Sequence, residues 1–307
     1  KIDLDRYLGA TPTEGKKPAD AKGKPGAAGK PTEIPLSTLR NLNVDGKFRI
    51  DQLKALGLKS SEAKIALTAR NGLITLGPNS ARLYQGSYRG TTTLDARGQT
   101  LQLGMNEKLE QVQLGPLLKD MDLFDSYSGA GNVELKLTAS GFDAKQVTRS
   151  LSGNAAVSIK DGRIEGVNLG KFVKTLSAKG DALTKITKLV PEKGDHTVFG
   201  QMNATFQITN GVARNRDLVV RAVDFSATGR GEANLVSEKM DYRLELAETG
   251  NEGRKCKTLP LRIEGSFASL SYLPDMEEIL KCQATKQVEK QLEKGLENLL
   301  APKKKKR

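Results

Sequence analysis

Tryptophan is absent and histidine occurs once in 307 residues, and aromatics together make up only 5% of the chain. Nucleic-acid recognition pairs basic patches with stacking aromatics or a known motif. Neither is present, so nucleic acid is not expected as a partner. The single histidine, His196, lies between Asp195 and Thr197 with no nucleophile at recognisable spacing, and reads as an incidental surface residue. Glu277 and Glu278 fit a solvated helix face better than acid/base work, and Asp120 and Asp122 carry no calcium-loop pattern. The Gly229-Arg230-Gly231 triplet sits inside a strand pattern, so it is a bend and not a nucleotide fingerprint. The expectation is no catalytic residue, no metal ligand and no cofactor. No run of about 18 apolar residues and no signal peptide is recognisable. The chain opens on Lys1, not Met, so it reads as a processed or partial polypeptide whose anchor lies upstream.

Cysteine is nearly absent as well: only Cys256 and Cys282 occur, without the spacing of a zinc site. Two readings stand. They are unrelated thiols, or they form a disulfide tying the last strand region to a C-terminal helix. The disulfide is favoured; it contributes roughly 3–4 kcal/mol if unstrained and requires an oxidising compartment.

What the chain does have is positive charge, formally +13. The tail Lys303, Lys304, Lys305, Lys306 and Arg307 supplies five of those charges, and an anionic membrane surface suits it. Residues 10–35, rich in Lys, Gly, Pro and Ala, show no apolar periodicity and read as a disordered linker. Residues 1–9 then read as the end of a preceding region.

From 36 to 274 short strands alternate apolar and polar residues between Asn-Gly or Asp-Gly pairs, which favour tight hairpins. The pairs at Asp45-Gly46, Asn71-Gly72, Asp161-Gly162 and Asn210-Gly211 are read as turns. Ala81 to Ala96 reads as one strand kinked at Gly86 and Gly90, and the last strand runs from Leu259 to Phe267. Helical stretches are expected at Gly115 to Met121, after a cap at Asp143, and from Leu169 to Pro191 in two stripes ending with Leu183, Ile186 and Leu189. Residues 69–98 and 208–236 share one grammar of strand, Asn-Gly turn, strand, strand, a degenerate internal repeat. From Asp275 to Leu300 the apolar residues fall at steps of three or four, an amphipathic helix. It packs on the sheet, lies on a membrane, or joins a partner coil. The fold class is α+β and β-dominated: an elongated, twisted antiparallel sheet of repeated hairpins with short covering helices.

The strings IDLDRYL (Ile2 to Leu8), LRNLNVDGKFRI (Leu39 to Ile50), ARLYQGSYRG (Ala81 to Gly90), VQLGPLLKDM (Val112 to Met121), LSGNAAVSIKDGRIEGVNL (Leu151 to Leu169) and LPLRIEGSFA (Leu259 to Ala268) come in an order and spacing that resemble the C-terminal region of the AsmA family. The resemblance implies a strongly bent sheet with a hydrophobic groove. It further implies a periplasmic, non-enzymatic module of an inner-membrane-anchored protein, acting in phospholipid transport or outer-membrane assembly. The alternative is a structural scaffold that binds envelope proteins. Phospholipid acyl chains are the implied partner, lining residues being Ile65, Leu67, Val133, Leu135, Leu137, Val157, Ile159, Phe206, Ile208, Leu244, Leu246, Leu261 and Ile263. The competing reading is an ordinary core in which helices seal that same face.

Overall fold

The computed structural model describes residues 1–5, 36–122, 127–177, 194–250 and 258–282, together with 284, 285, 288, 291 and 292. The linker 10–35, the expected stripe of Leu183, Ile186 and Leu189, Cys256 and the tail 303–307 lie outside these residues.

Among the described residues, fourteen strands form one open, curved sheet whose spatial order is the order of the sequence. They are β1 (Ile2–Asp3), β2 (Val44–Ala55), β3 (Leu58–Arg70), β4 (Leu73–Leu83), β5 (Gly86–Asp95), β6 (Gln102–Gln113) and β7 (Tyr127–Ser140). Beyond these come β8 (Ser152–Glu165), β9 (His196–Thr209), β10 (Val212–Arg221), β11 (Phe225–Asn234), β12 (Lys239–Glu248), β13 (Thr258–Ser266) and β14 (Ser269–Pro274). All neighbours are antiparallel except β1, which runs parallel to β2. Short helices interrupt the meander: α1 (Leu36–Arg40), α2 (Leu114–Asp120), α3 (Ala144–Ser150) and α4 (Leu169–Ser177). A last helix, α5, begins at 276.

The tight hairpins are made where both central residues adopt left-handed φ, the geometry that matches strand twist. Asn71-Gly72 (φ 50° and 78°) and Asn210-Gly211 (49° and 74°) do this as the sequence suggests. Two further turns, Leu56-Gly57 (52°, 79°) and Tyr84-Gln85 (44°, 67°), do it without the favoured pair. Tyr84-Gln85 therefore divides the stretch read as one strand from Ala81 to Ala96. The other two pairs are not turns. Asp45-Gly46 lies inside β2, where a Cβ on Gly46 would come 3.0 Å from the Phe48 ring. Asp161-Gly162 lies inside β8: Asp161 takes φ 49° at a register shift against β7, a bulge, and the Phe199 ring covers Gly162.

Because the sheet is a meander, every even-numbered strand ends on the same side. The longer connections after β6, β8 and β14 carry α2, α4 and α5, and so all three helices gather at one end. Their apolar stripes meet there: Leu114 and Leu117 of α2, Leu169 and Val173 of α4, and Ile279 of α5 join one core with Val112, Ile159, Phe199, Leu246, Leu259 and Leu261. Capping fixes each helix start. Asp143 accepts from the Gln146 N–H at 2.8 Å, Asn168 from Lys171 at 2.9 Å and Asp275 from Glu278 at 3.1 Å.

Candidate functional site: an apolar sheet face covered at one end

Directly opposed residues in neighbouring strands share a face, so the registers can be read across the sheet as rows. One row runs Leu259, Leu246, Ala227, Val220, Met202, Ile159, Gly131, Val112. A parallel row on the same face runs Met240, Ala233, Ala213, Ile208, Gly153, Leu137, Met105, Thr92, Leu76, Leu67, Gly46. The period of two then puts all thirteen lining candidates on this single face. The opposite face carries the charges, as in the pairs Arg214–Glu232 (3.3 Å) and Arg262–Asp241 (2.9 Å).

Burial divides the face. Ile159, Leu244, Leu246 and Leu261 are buried beneath the helices, with Leu246 at 0% exposure. Leu137 and Ile208 are buried in a smaller cluster with Ala213. Ile65, Leu67, Val133, Leu135, Val157, Phe206 and Ile263 are only half-buried, and next to them Leu76 is 38% and Phe48 51% exposed. One end is a packed core; beyond it Leu151, at the end of α3, packs against the smaller cluster, and the remaining lining residues stay half-buried.

Two polar clusters, invisible in the alternation, interrupt the face along one row. In the first, the Glu107 carboxylate accepts from the Tyr88 hydroxyl at 2.7 Å and from Thr92 at 2.8 Å. Burial and then this carboxylate push the Tyr88 phenol well above its ordinary range. In the second, Asn215, 2% exposed, donates to the Thr205 carbonyl (2.8 Å) and to Asp217 (2.6 Å), and accepts from the Tyr242 hydroxyl. Only hydrogen-bonded polar groups are tolerated at such depth, and both clusters meet that condition.

At the covered end α2 is pinned from outside. Asp120 accepts from the Tyr84 hydroxyl at 2.7 Å and pairs with Lys59 at 2.9 Å. Burial raises the Asp120 pKa, but these two bonds outweigh it and the net direction is down. The Tyr84 phenol is pushed up to about 12, by burial first and by Asp120 second. A cavity of about 530 Å³ nearby is lined by Lys1, Lys54, Lys59, Arg82, Leu53 and Leu83. Two of its cations are paired, Lys54 with Asp5 at 3.3 Å and Arg82 with Glu62 at 3.4 Å.

Among the described residues no group of three His, Cys, Asp or Glu side chains is placed to hold a metal. His196 Nδ1 lies 3.1 Å from the Gly194 carbonyl. No described helix is long and apolar enough to cross a membrane. On α5, Ile279 is buried while Leu280, Val288 and Leu292 are exposed. Cys282 is half-buried on α5, and no free cysteine occurs among the described residues.

The family model described as the AsmA family matches residues 1–218. Protein AsmA of Escherichia coli (strain K12) is 21% identical over 252 residues, covering 79% of this chain and 40% of its own length. No solved structure matches the chain.

Proposed function

Because the chain belongs to the AsmA family, we propose that it is a non-enzymatic lipid-groove module of a bacterial envelope protein, acting in phospholipid transport to, or assembly of, the outer membrane. One observation carries this reading. The apolar face is packed shut at one end, while Phe48, Leu67, Leu76, Val133 and Leu135 leave apolar area uncovered next to it. An acyl chain laid there is stabilised by up to about 0.8 kcal/mol per CH₂ removed from water. The packed end acts as the floor against which the chain stops. The half-exposed aliphatic lining, with few aromatics, suits a flexible guest.

The proposal places the module in an oxidising periplasm, attached to the inner membrane by a separate segment. It includes a Cys256–Cys282 disulfide, supported by the lack of a free cysteine among the described residues and checked by mass spectrometry of non-reduced peptides. It also includes contact of Lys303, Lys304, Lys305, Lys306 and Arg307 with anionic headgroups, each charge contributing about 1 kcal/mol near the surface.

The test is direct. Delipidated protein mixed with labelled phospholipid is run on a native gel, and a photo-cross-linking residue is placed in turn at Leu67, Leu76, Leu246 and Leu261. Stoichiometric co-migration, with cross-links from the first two positions and not from the last two, is the expected result. No co-migration overturns the cargo role and leaves the scaffold reading, in which the same surface holds envelope proteins.

A further inference from the structure

One carboxylate stands on the apolar face. Glu107 lies opposite Gly90 of β5 and Leu135 of β7, with Met105 and Leu109 two residues to either side of it on β6. In its row, from Asn79 on β4 across to Ile263 on β13, no other side chain is Asp, Glu, Lys or Arg. The same holds along the row through Met105, and along the row through Leu109 from Ala81 to Ala204. The neighbouring cations Arg89 and Lys108 belong to the opposite face. There both pair with Glu110, at 3.1 and 3.2 Å, and Lys108 also with Glu134 at 2.9 Å. Among the described residues no cation pairs with Glu107.

The surroundings fix this carboxylate in place. Its Oε2 accepts from the Tyr88 hydroxyl at 2.7 Å and its Oε1 from the Thr92 hydroxyl at 2.8 Å. The Asn79 side chain, 8% exposed and anchored by the Ala66 N–H at 3.1 Å, also engages the Tyr88 hydroxyl. Gly90 leaves the space: a Cβ there would collide with the carboxylate and come 2.6 Å from the Tyr88 oxygen. These neutral donors orient the group but bring no opposite charge. A half-buried carboxylate without a counter-charge is costly beside apolar neighbours, and a cation delivered by a ligand removes that cost.

The setting specifies the cation. One carboxylate, with two hydroxyls already turned towards it, offers too few oxygens for a metal such as Ca²⁺, which takes about six to eight. Its remaining lone pairs accept N–H donors, which a primary ammonium has and a trimethylammonium lacks. Met105, Leu109 and Leu135, all half-buried around it, form an apolar bed for the rest of the ligand. We propose that Glu107 is the recognition site for a primary ammonium carried on an apolar guest, namely the aminoethyl headgroup of a phospholipid. The inference rests on the cargo reading above and adds a headgroup preference to it. Glu107 is itself only half-buried, so the phosphate beside the amine stays in water.

The test titrates delipidated protein with phosphatidylethanolamine, phosphatidylglycerol and phosphatidylcholine of identical acyl chains, binding being read by native mass spectrometry. The ethanolamine lipid is expected to bind about 10-fold more tightly than the other two. Glu107→Gln abolishes the difference, whereas Glu110→Gln, the same charge change on the opposite face, keeps it. Carbodiimide coupling of the bound ethanolamine lipid to the unchanged chain places the amide on Glu107. Both readouts on the unchanged chain stand whether or not the Gln variant folds. Equal binding of the three lipids overturns the ammonium site and leaves the cargo role standing; binding of none overturns both. A preference that survives Glu107→Gln also overturns the site. Displacement of the lipid by free ethanolamine at the same concentration overturns it in favour of a soluble amine.

Discussion

The covered end of the sheet and the uncovered stretch beside it are built from the same strands with the same alternation, yet one is a core and the other a surface. Leu246 and Leu67 occupy equivalent kinds of position, apolar and on one face, in rows that run parallel. What separates them is the length of chain inserted after the strands. After β6, β8 and β14 the connections fold back as helices whose apolar residues join the core, whereas at the opposite end Asn71-Gly72 and Asn210-Gly211 reverse the chain at once and α3, after β7, buries no residue. Strand periodicity decides which side is apolar; a connection that carries a helix with a buried apolar stripe decides where that side is sealed.

The largest effect that would break this contrast comes from truncating one residue of each kind. Leu246→Ala removes a fully buried side chain and is expected to cost about 2–5 kcal/mol. Phe48→Ala or Leu76→Ala, on the uncovered stretch, costs under about 1 kcal/mol. Urea denaturation measures both, and equal losses would mean the two regions are packed alike. Next comes Asn215→Ala, which strips the Tyr242 hydroxyl and the Thr205 carbonyl of their partner; about 1–3 kcal/mol is expected.

A smaller effect lies in the strap that holds α2. Tyr84→Phe loses the bond to Asp120, about 0.5–1.5 kcal/mol by thermal melting. The Tyr84 phenol sits higher in the folded chain than its ordinary 10.0, at about 12, so its contribution is complete below pH 10 and fades as pH rises towards 12. The Phe variant lacks that alkaline decline. The smallest effect is at the turn end, where Arg97 holds the Asp95 carboxyl down to about 2. That contribution is present above the ordinary value of 3.8 and is lost as pH falls through about 2. An NMR titration should show Asp95 returning to the ordinary range in Arg97→Ala.

Most of the sheet was legible because alternation is a local signal. Val133, Leu135 and Leu137 announce a strand and its apolar side without help from the rest of the chain. Asp143 likewise announces a helix start. Turn residues misled where glycine served a neighbour instead of a reversal: Gly46 makes room for Phe48 and Gly162 for Phe199. Turns without glycine, such as Tyr84-Gln85, left no mark in the sequence, and neither did short β14 or the two residues of β1. The polar clusters were equally hidden. Glu107 and Asn215 look like any polar residue in a strand, and only the register shows that they point into the apolar side. Which lining candidates are buried could not be read at all, since that depends on helices folding back from distant connections.

A ribbon in which, among the described residues, strand pairing joins only strands adjacent in sequence has no closure condition to meet. Inserting or deleting one whole hairpin changes its length by two strands and preserves the side on which the oily residues fall, because parity is restored with every pair. Such a sheet can be lengthened by duplication to match whatever distance must be bridged, and the echo between residues 69–98 and 208–236 has the form that copying would leave.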